Sequence, residues 1–157
     1  MKKLLFVCLG NICRSPAAEA VMKSLIEKSP FQGKIEVDSC GTSAHHEGEM
    51  ADSRMRSHAR KRGYNLESIA RGFCDKDFSD YDFILTMDDS NYRNIISLDQ
   101  SGSYKTKVFP MTQFCKEIKV KEVPDPYYGG PEGFEHVLDI LEDACGNFLN
   151  TMKDKLE

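Results

Sequence analysis

The stretch Leu4-Leu5-Phe6-Val7-Cys8-Leu9-Gly10-Asn11-Ile12-Cys13-Arg14-Ser15-Pro16 carries three signals in succession: an apolar run, a short turn with glycine and asparagine, and the start of an alanine- and glutamate-rich segment that reads as helix. A buried strand that turns directly into a helix aims successive backbone N–H groups at one spot, and the positive end of the helix dipole favours an anion there. The segment Cys8 to Ser15 is therefore read as a phosphate-binding loop. Cysteines at helix N-termini near a cation have pKa values lowered to roughly 3.5–7.5, so Cys8 beside Arg14 is expected to be a nucleophilic thiolate. Arg14 offers a planar fork that matches two oxygens of a phosphoryl group, which lysine does not. Gly10 and Asn11 stand where positive φ or close backbone approach is wanted, and Pro16 suits a first helical position. A cysteine and an arginine with five residues between them are common by chance; the strand, turn and helix start around them make the reading specific. The competing reading is a buried structural cysteine in an ordinary strand-to-helix turn.

Working outward, strands alternate with helices. Strand one is expected at Lys2–Val7, helix one at Ser15–Ser29 and strand two at Lys34–Asp38. A helix rich in Arg and Lys follows at Asp52–Arg62, with Gly63 at its C-terminal cap. Tyr81–Met87 reads as strand three, and Asp88-Asp89-Ser90 as the cap of the next helix. Lys107–Phe109 is a short fourth strand. Pro131 opens a long last helix whose Phe134, Val137, Leu138, Leu141, Cys145, Phe148, Leu149 and Met152 recur at helical spacing and form a core stripe. The pattern implies an α/β fold: a four-stranded parallel sheet with helices on both faces, Rossmann-like, with the phosphate loop at the end of strand one. The irregular stretches Cys40–Met50 and Val120–Gly130 are expected to rim the site.

Length and charge narrow the class. The 157 residues fit one domain, 1–157, and the net charge of −4 argues against nucleic acid or an anionic membrane as partner. No run approaches the ~18 apolar residues of a membrane span. Met1-Lys2-Lys3 before an apolar run mimics a secretory signal, but the run is short and Val7 is larger than the small residue such cleavage wants. The six cysteines show neither a disulfide-scaffold density nor metal-ligand clustering, so a reducing cytoplasm is expected.

The loop Cys8 to Ser15, together with Asp125-Pro126-Tyr127-Tyr128-Gly129-Gly130, Val37-Asp38-Ser39 and Asp82-Phe83-Ile84-Leu85-Thr86-Met87-Asp88, resembles the low-molecular-weight protein tyrosine phosphatases over essentially the whole chain. The resemblance implies hydrolysis of aryl phosphate monoesters through a phosphocysteine on Cys8, with Arg14 and the amides of Leu9, Gly10, Asn11, Ile12 and Cys13 holding the phosphoryl oxygens. Asp125 is then the general acid, and its loop must raise its pKa for that role; alone, it would also read as a turn residue before Pro126. Ser15 is placed to donate to the Cys8 sulfur, or to cap the helix. Asn11 is expected to brace the loop, tied in the family to a serine matching Ser39. Animal members add a histidine to that network where this chain has Ser68.

Tyr127, Tyr128 and Ile12 are expected to wall a flat aryl phosphate. Related protein-arginine phosphatases carry threonine at the place of Ile12. His45 and His46 read as rim residues or as solvated loop. In the family Cys13 can pair with Cys8 in a reversible disulfide; its plainer role is a small buried residue. Neither metal nor cofactor is implied, because Arg14 and the amides supply the positive charge. The partner is expected to be a tyrosine-phosphorylated protein or a small aryl phosphate, met by a monomer. Two rivals of the same fold are a protein-arginine phosphatase and an arsenate reductase. The second needs a closely spaced cysteine relay, whereas no cysteine lies between Cys74 and Cys115. A noncatalytic phosphotyrosine-binding module is the rival of another class.

Overall fold

The computed structural model describes the backbone of residues 1–156 and side chains through Lys153. Four parallel strands, β1 (Lys2–Cys8), β2 (Ile35–Gly41), β3 (Phe83–Thr86) and β4 (Val108–Pro110), form one sheet in the order β2-β1-β3-β4. Leu4, Leu5, Phe6 and Val7 are fully buried, because β1 is central and both its faces are covered. The period-two alternation of a strand divides them. Leu4, Phe6 and Cys8 pack with helices α1 (Arg14–Glu27) and α5 (Pro131–Leu156) on one face. Leu5, Val7 and Ile84 pack on the other with Phe78 of α3 (Lys76–Asp80) and Ile95 of α4 (Asp89–Leu98). All eight residues of the apolar stripe expected on α5 lie in the first of these cores.

The chain leaves β1 between β2 and β3, on opposite sides, which makes the end of β1 the point where connections diverge and a crevice opens. Cys8, paired with Gly41 of β2, is the last residue of β1 and opens into that crevice. The expected phosphate loop is thus set between the two strand ends. The carbonyls of Cys8 and Leu9 accept from the N–H groups of Thr42 and Ser43, at 2.8 and 2.9 Å. Helix α2 (Ser53–Lys61) is joined to the same loop, since the Asp52 N–H donates to the Ile12 carbonyl at 2.8 Å.

Several boundaries differ from the sequence expectation. Helix α1 starts at Arg14, so Pro16 lies inside the first turn rather than at its first position; a residue without an N–H costs nothing there, where no intrahelical partner exists. Strand β2 runs on through Ser39, Cys40 and Gly41, and β3 is shorter than Tyr81–Met87. Tyr81 and Met87 are nonetheless buried: their apolarity reports packing rather than strand pairing. Helix α3 was not expected. Gly63, φ +90°, closes α2 as anticipated, its N–H donating to Arg60 at 3.0 Å.

Asp52 caps α2: its carboxylate accepts from the backbone N–H groups of Arg54 and Met55 and pairs with the Arg54 guanidinium at 2.9 Å. Partial burial opposes the charge, yet these hydrogen bonds outweigh it and hold the carboxyl below its usual range. A lowered folded pKa gives stability that is present above the ordinary aspartate value and lost as the pH falls through the folded one. Asp52→Ala is expected to lower unfolding stability by about 1 kcal/mol near neutrality, with the deficit shrinking in acid; urea titrations of both proteins at about pH 7 and about pH 3 check this.

Candidate active site

Cys8 is 2 % exposed, at the floor of a cavity of about 290 Å³ lined by Cys8, Leu9, Gly10, Ile12, Cys13, Arg14, Ser43, His45, His46, Asp125, Tyr127 and Tyr128. The two irregular stretches expected at the rim supply its walls. Among the described residues, the N–H groups of Leu9 to Cys13 donate to no group of the protein, which leaves a run of donors for an anion. The Cys8 sulfur lies 2.9 Å from Ser15 Oγ. Ser15 sits inside the first turn of α1, so it does not cap that helix; Cys13 occupies the cap position and makes no side-chain capping bond. The single Ser15 hydroxyl hydrogen serves the sulfur or the Cys40 carbonyl at 3.2 Å, and the shorter contact is to sulfur.

Asn11 is the one described non-glycine residue with positive φ, 59°, a conformation asparagine tolerates. Its amide holds the loop from three sides: Nδ2 donates to Ser15 Oγ at 2.8 Å and Ser39 Oγ at 3.0 Å, and Oδ1 accepts from the Arg71 N–H at 3.0 Å. Ser39 in turn donates to Glu19 of α1 at 2.6 Å. Here Ser68 departs from its expected supporting role. It makes no hydrogen bond to the network among the described residues and only borders a small cleft with Glu19. Glu19, almost fully buried and also paired with Lys23 at 2.6 Å, closes the network in its place. Gly41 was equally invisible in sequence. A Cβ there would lie 2.6 Å from the Leu9 carbonyl oxygen and 3.1 Å from the Asn11 nitrogen, so the loop backbone needs a glycine beside it.

Arg14 is 3 % exposed. Its Nη1 donates to Asp88 Oδ2 at 2.7 Å and to the Val123 carbonyl at 3.0 Å, while Nη2 stands 3.8 Å from Asp125 Oδ2. Burial alone would lower its pKa; the Cys8 sulfur, the hydrogen bond to Asp88, and the charges of Asp88 and Asp125 outweigh burial and raise it. Asp88, read from sequence only as a helix cap, does both: Oδ1 accepts from the Asn91 N–H at 2.7 Å and Oδ2 takes the arginine. Asp125 likewise divides its oxygens. Oδ1 accepts the Tyr127 N–H at 3.1 Å, the turn role, and Oδ2 is the atom near Arg14.

Of the two tyrosines, Tyr127 is partly buried whereas Tyr128 is 93 % exposed, its ring set edge-on to Tyr127 at 5.0 Å. His46 is more than a solvated loop residue. It lines the cavity, lies against Gly10, faces Tyr127 at 6.4 Å and pairs with Glu49 at 2.8 Å. Burial, then the charges of Asp52, Cys8 and Asp125, push the Cys13 thiol well up.

A buried thiol, a run of free amides, a buried guanidinium and a carboxylate meet in one cavity, an arrangement able to hold an oxyanion beside a sulfur. Residues 3–157 match the family model for low molecular weight phosphotyrosine protein phosphatase. The chain is 41 % identical over 151 residues, 96 % of each protein, to the low molecular weight phosphotyrosine protein phosphatase of Schizosaccharomyces pombe. It superposes with a TM-score of 0.95 on the crystal structure of a protein tyrosine phosphatase from Entamoeba histolytica, 51 % identical over 99 % of each chain. With a Drosophila arginine phosphatase the TM-score is 0.90 and the identity 30 %, over 98 % of each chain. The chain belongs to the low-molecular-weight phosphotyrosine protein phosphatase family.

Gly41→Ala is expected to wedge the phosphate loop open, a Cβ there meeting the Leu9 oxygen at 2.6 Å, and to weaken inorganic phosphate binding by about tenfold, the loss of one or two hydrogen bonds to a charged group. Phosphate titration followed calorimetrically, with circular dichroism as a check on the fold, measures it.

Proposed function

We propose that this protein hydrolyses the aryl phosphate of phosphotyrosine, in a tyrosine-phosphorylated protein or a small aryl ester, by the following division of labour. The Cys8 sulfur attacks phosphorus in line and the phenolic oxygen leaves, forming phosphocysteine. The amides of Leu9 to Cys13 and the Arg14 fork hold the three equatorial oxygens; they are fixed beforehand, so little reorganisation is needed as charge shifts. Asp125 gives its proton to the leaving oxygen, and its carboxylate then takes a proton from the water that attacks phosphocysteine. The Ser15 hydroxyl donates to the sulfur as it departs in that second step. Asn11, Ser39 and Glu19 keep the loop in its left-handed turn.

The observation that carries this reading is the convergence of Cys8, Arg14 and Asp125 on one cavity. Tyr127, Ile12 and His46 are its wall residues for an aromatic ring, with Tyr128 projecting at its edge. Ile12, where related arginine phosphatases carry threonine, supports phosphotyrosine over phosphoarginine. Cys13 keeps its proton, so oxidation is expected to begin at Cys8, whose sulfenic acid would condense with the Cys13 thiol to a reversible disulfide. The proposed setting is a single-domain monomer in a reducing cytoplasm; no helix among the described residues is long and apolar enough to cross a membrane.

Hydrolysis of phosphotyrosine, phosphoarginine and phosphoserine peptides with chelator present tests the proposal. Phosphotyrosine turnover is expected to vanish in Cys8→Ser and to fall by ~10²-fold or more in Asp125→Asn. Turnover of phosphoarginine alone would overturn the assignment of substrate, and phosphotyrosine binding without turnover would mark a reader.

A further inference from the structure

The segment that carries Asp125 is loosely tied. From Pro124 to Gly129 the only hydrogen bonds among the described residues are internal: Tyr127 N–H to Asp125 at 3.1 Å and Gly129 N–H to the Pro126 carbonyl at 3.0 Å. Val123 before it is anchored, its N–H to Met87 at 2.8 Å and its carbonyl to Arg14. Beyond that anchor, Asp125 itself is 41 % exposed, and its ion pair among the described residues is the one with Arg14 at 3.8 Å. Packing holds it further on, with Pro126 buried beside Gly133 of α5 and Tyr127 set against the core, and the Tyr127 ring has one more contact.

That contact is a cation. The Arg54 guanidinium lies over the Tyr127 ring at 5.2 Å and over the Phe134 ring at 5.0 Å. Phe134 is 1 % exposed in the α5 core, and His58 stacks on it at 5.3 Å with the rings 6° from parallel, so the base of the stack is rigid. The Asp52 carboxylate holds Arg54 in the plane needed, taking Nε at 3.2 Å and Nη2 at 2.9 Å. Asp52 itself is joined through its N–H to the Ile12 carbonyl of the phosphate loop. A continuous path of contacts therefore runs from the phosphate loop through Asp52, Arg54 and Tyr127 to Asp125. A flat guanidinium suits this place because it stacks on aromatic faces while its edge remains free to pair with a carboxylate.

We propose that Arg54 is a positioning residue for proton transfer: by clamping the Tyr127 ring it ties the Asp125 segment to the loop that bears Cys8. The inference rests on the phosphatase reading, in which Asp125 protonates the leaving oxygen as the S–P bond forms and the P–O bond breaks. It applies to a residue that touches neither the phosphoryl group nor the nucleophile.

Two substrates separate positioning from general damage. A phosphotyrosine peptide has a poor leaving group and needs the acid, whereas 2,4-dinitrophenyl phosphate releases a phenolate that is stable without a proton. The value of kcat/KM reports steps up to phosphocysteine formation. Arg54→Ala is expected to cut kcat/KM for the peptide by about tenfold, part of the ~10²–10⁴-fold that such proton transfer supplies, with the dinitrophenyl ester changed less than about twofold; Arg54→Lys should recover part of the loss by keeping the cation over the ring. In an Asp125→Asn background Arg54→Ala should add little, because its target is already gone. Equal losses on both substrates, no loss on either, or a full tenfold effect persisting in Asp125→Asn would overturn the proposal. Arg54→Gln, which keeps a polar stem without charge, reads the same ratio if the alanine variant fails to fold. Wild-type turnover of both esters, abolished by Cys8→Ser, tests the phosphatase reading separately.

Discussion

The buried guanidinium of Arg14 is the constraint on which the site depends. A cation that is 3 % exposed must be paired, and removing one partner of a buried pair costs about 3–5 kcal/mol. Here the partners come from separate parts of the chain: Asp88 just past β3 and the Val123 carbonyl ahead of the Asp125 segment. Satisfying one side chain thus brings together three segments far apart in sequence. Both bonds use Nη1, and Nη2 has Asp125 Oδ2 at 3.8 Å in the cavity that Arg14 lines. The pairing that stabilises the fold also fixes the guanidinium proposed to bind phosphate.

The sheet supplies the other half of the preorganisation. Because β1 lies between β2 and β3, its end is flanked by two strand ends, and the loop that follows is held from both sides. Thr42, Ser43 and Asp52 hold its carbonyls, while Asn11 spans it with three hydrogen bonds. With those carbonyls and side chains occupied, the free N–H groups of the loop have a fixed direction before substrate arrives, which is the condition for electrostatic stabilisation without reorganisation. Gly41 permits this by leaving space where any Cβ would meet the Leu9 and Asn11 backbone.

Much of this was legible in the chain itself, and the reasons differ by residue. Leu4 to Val7, the α5 stripe and the Cys8 to Ser15 turn announce themselves because periodicity and turn chemistry are local. Asp125 was found by resemblance, since one aspartate before a proline is locally only a turn. Glu19, Gly41 and the arginine-binding side of Asp88 were missed because their roles are set by tertiary contact: helix periodicity gives Glu19 a place on α1 but not a buried serine to accept from. Ser68 stands where the resemblance implies a network residue, and Glu19 closes the network instead. The limits of β3 differ because Tyr81 and Met87 are apolar for packing rather than pairing, and Arg54 reads in sequence as one more cation on a basic helix because the rings it lies over, Tyr127 and Phe134, come from a distant loop and from α5.

In the proposed reaction phosphorus passes through the Cys8 sulfur. The measurement is a rapid alkaline-denaturant quench of the enzyme during turnover of a phosphotyrosine substrate, followed by peptide mass spectrometry kept near neutral pH. The expected result is a phosphate mass added to the peptide bearing Cys8, released by mild acid and missing from the Cys8→Ser protein. Full turnover with no phosphate on Cys8 at any quench time, or phosphate on another residue, would contradict it.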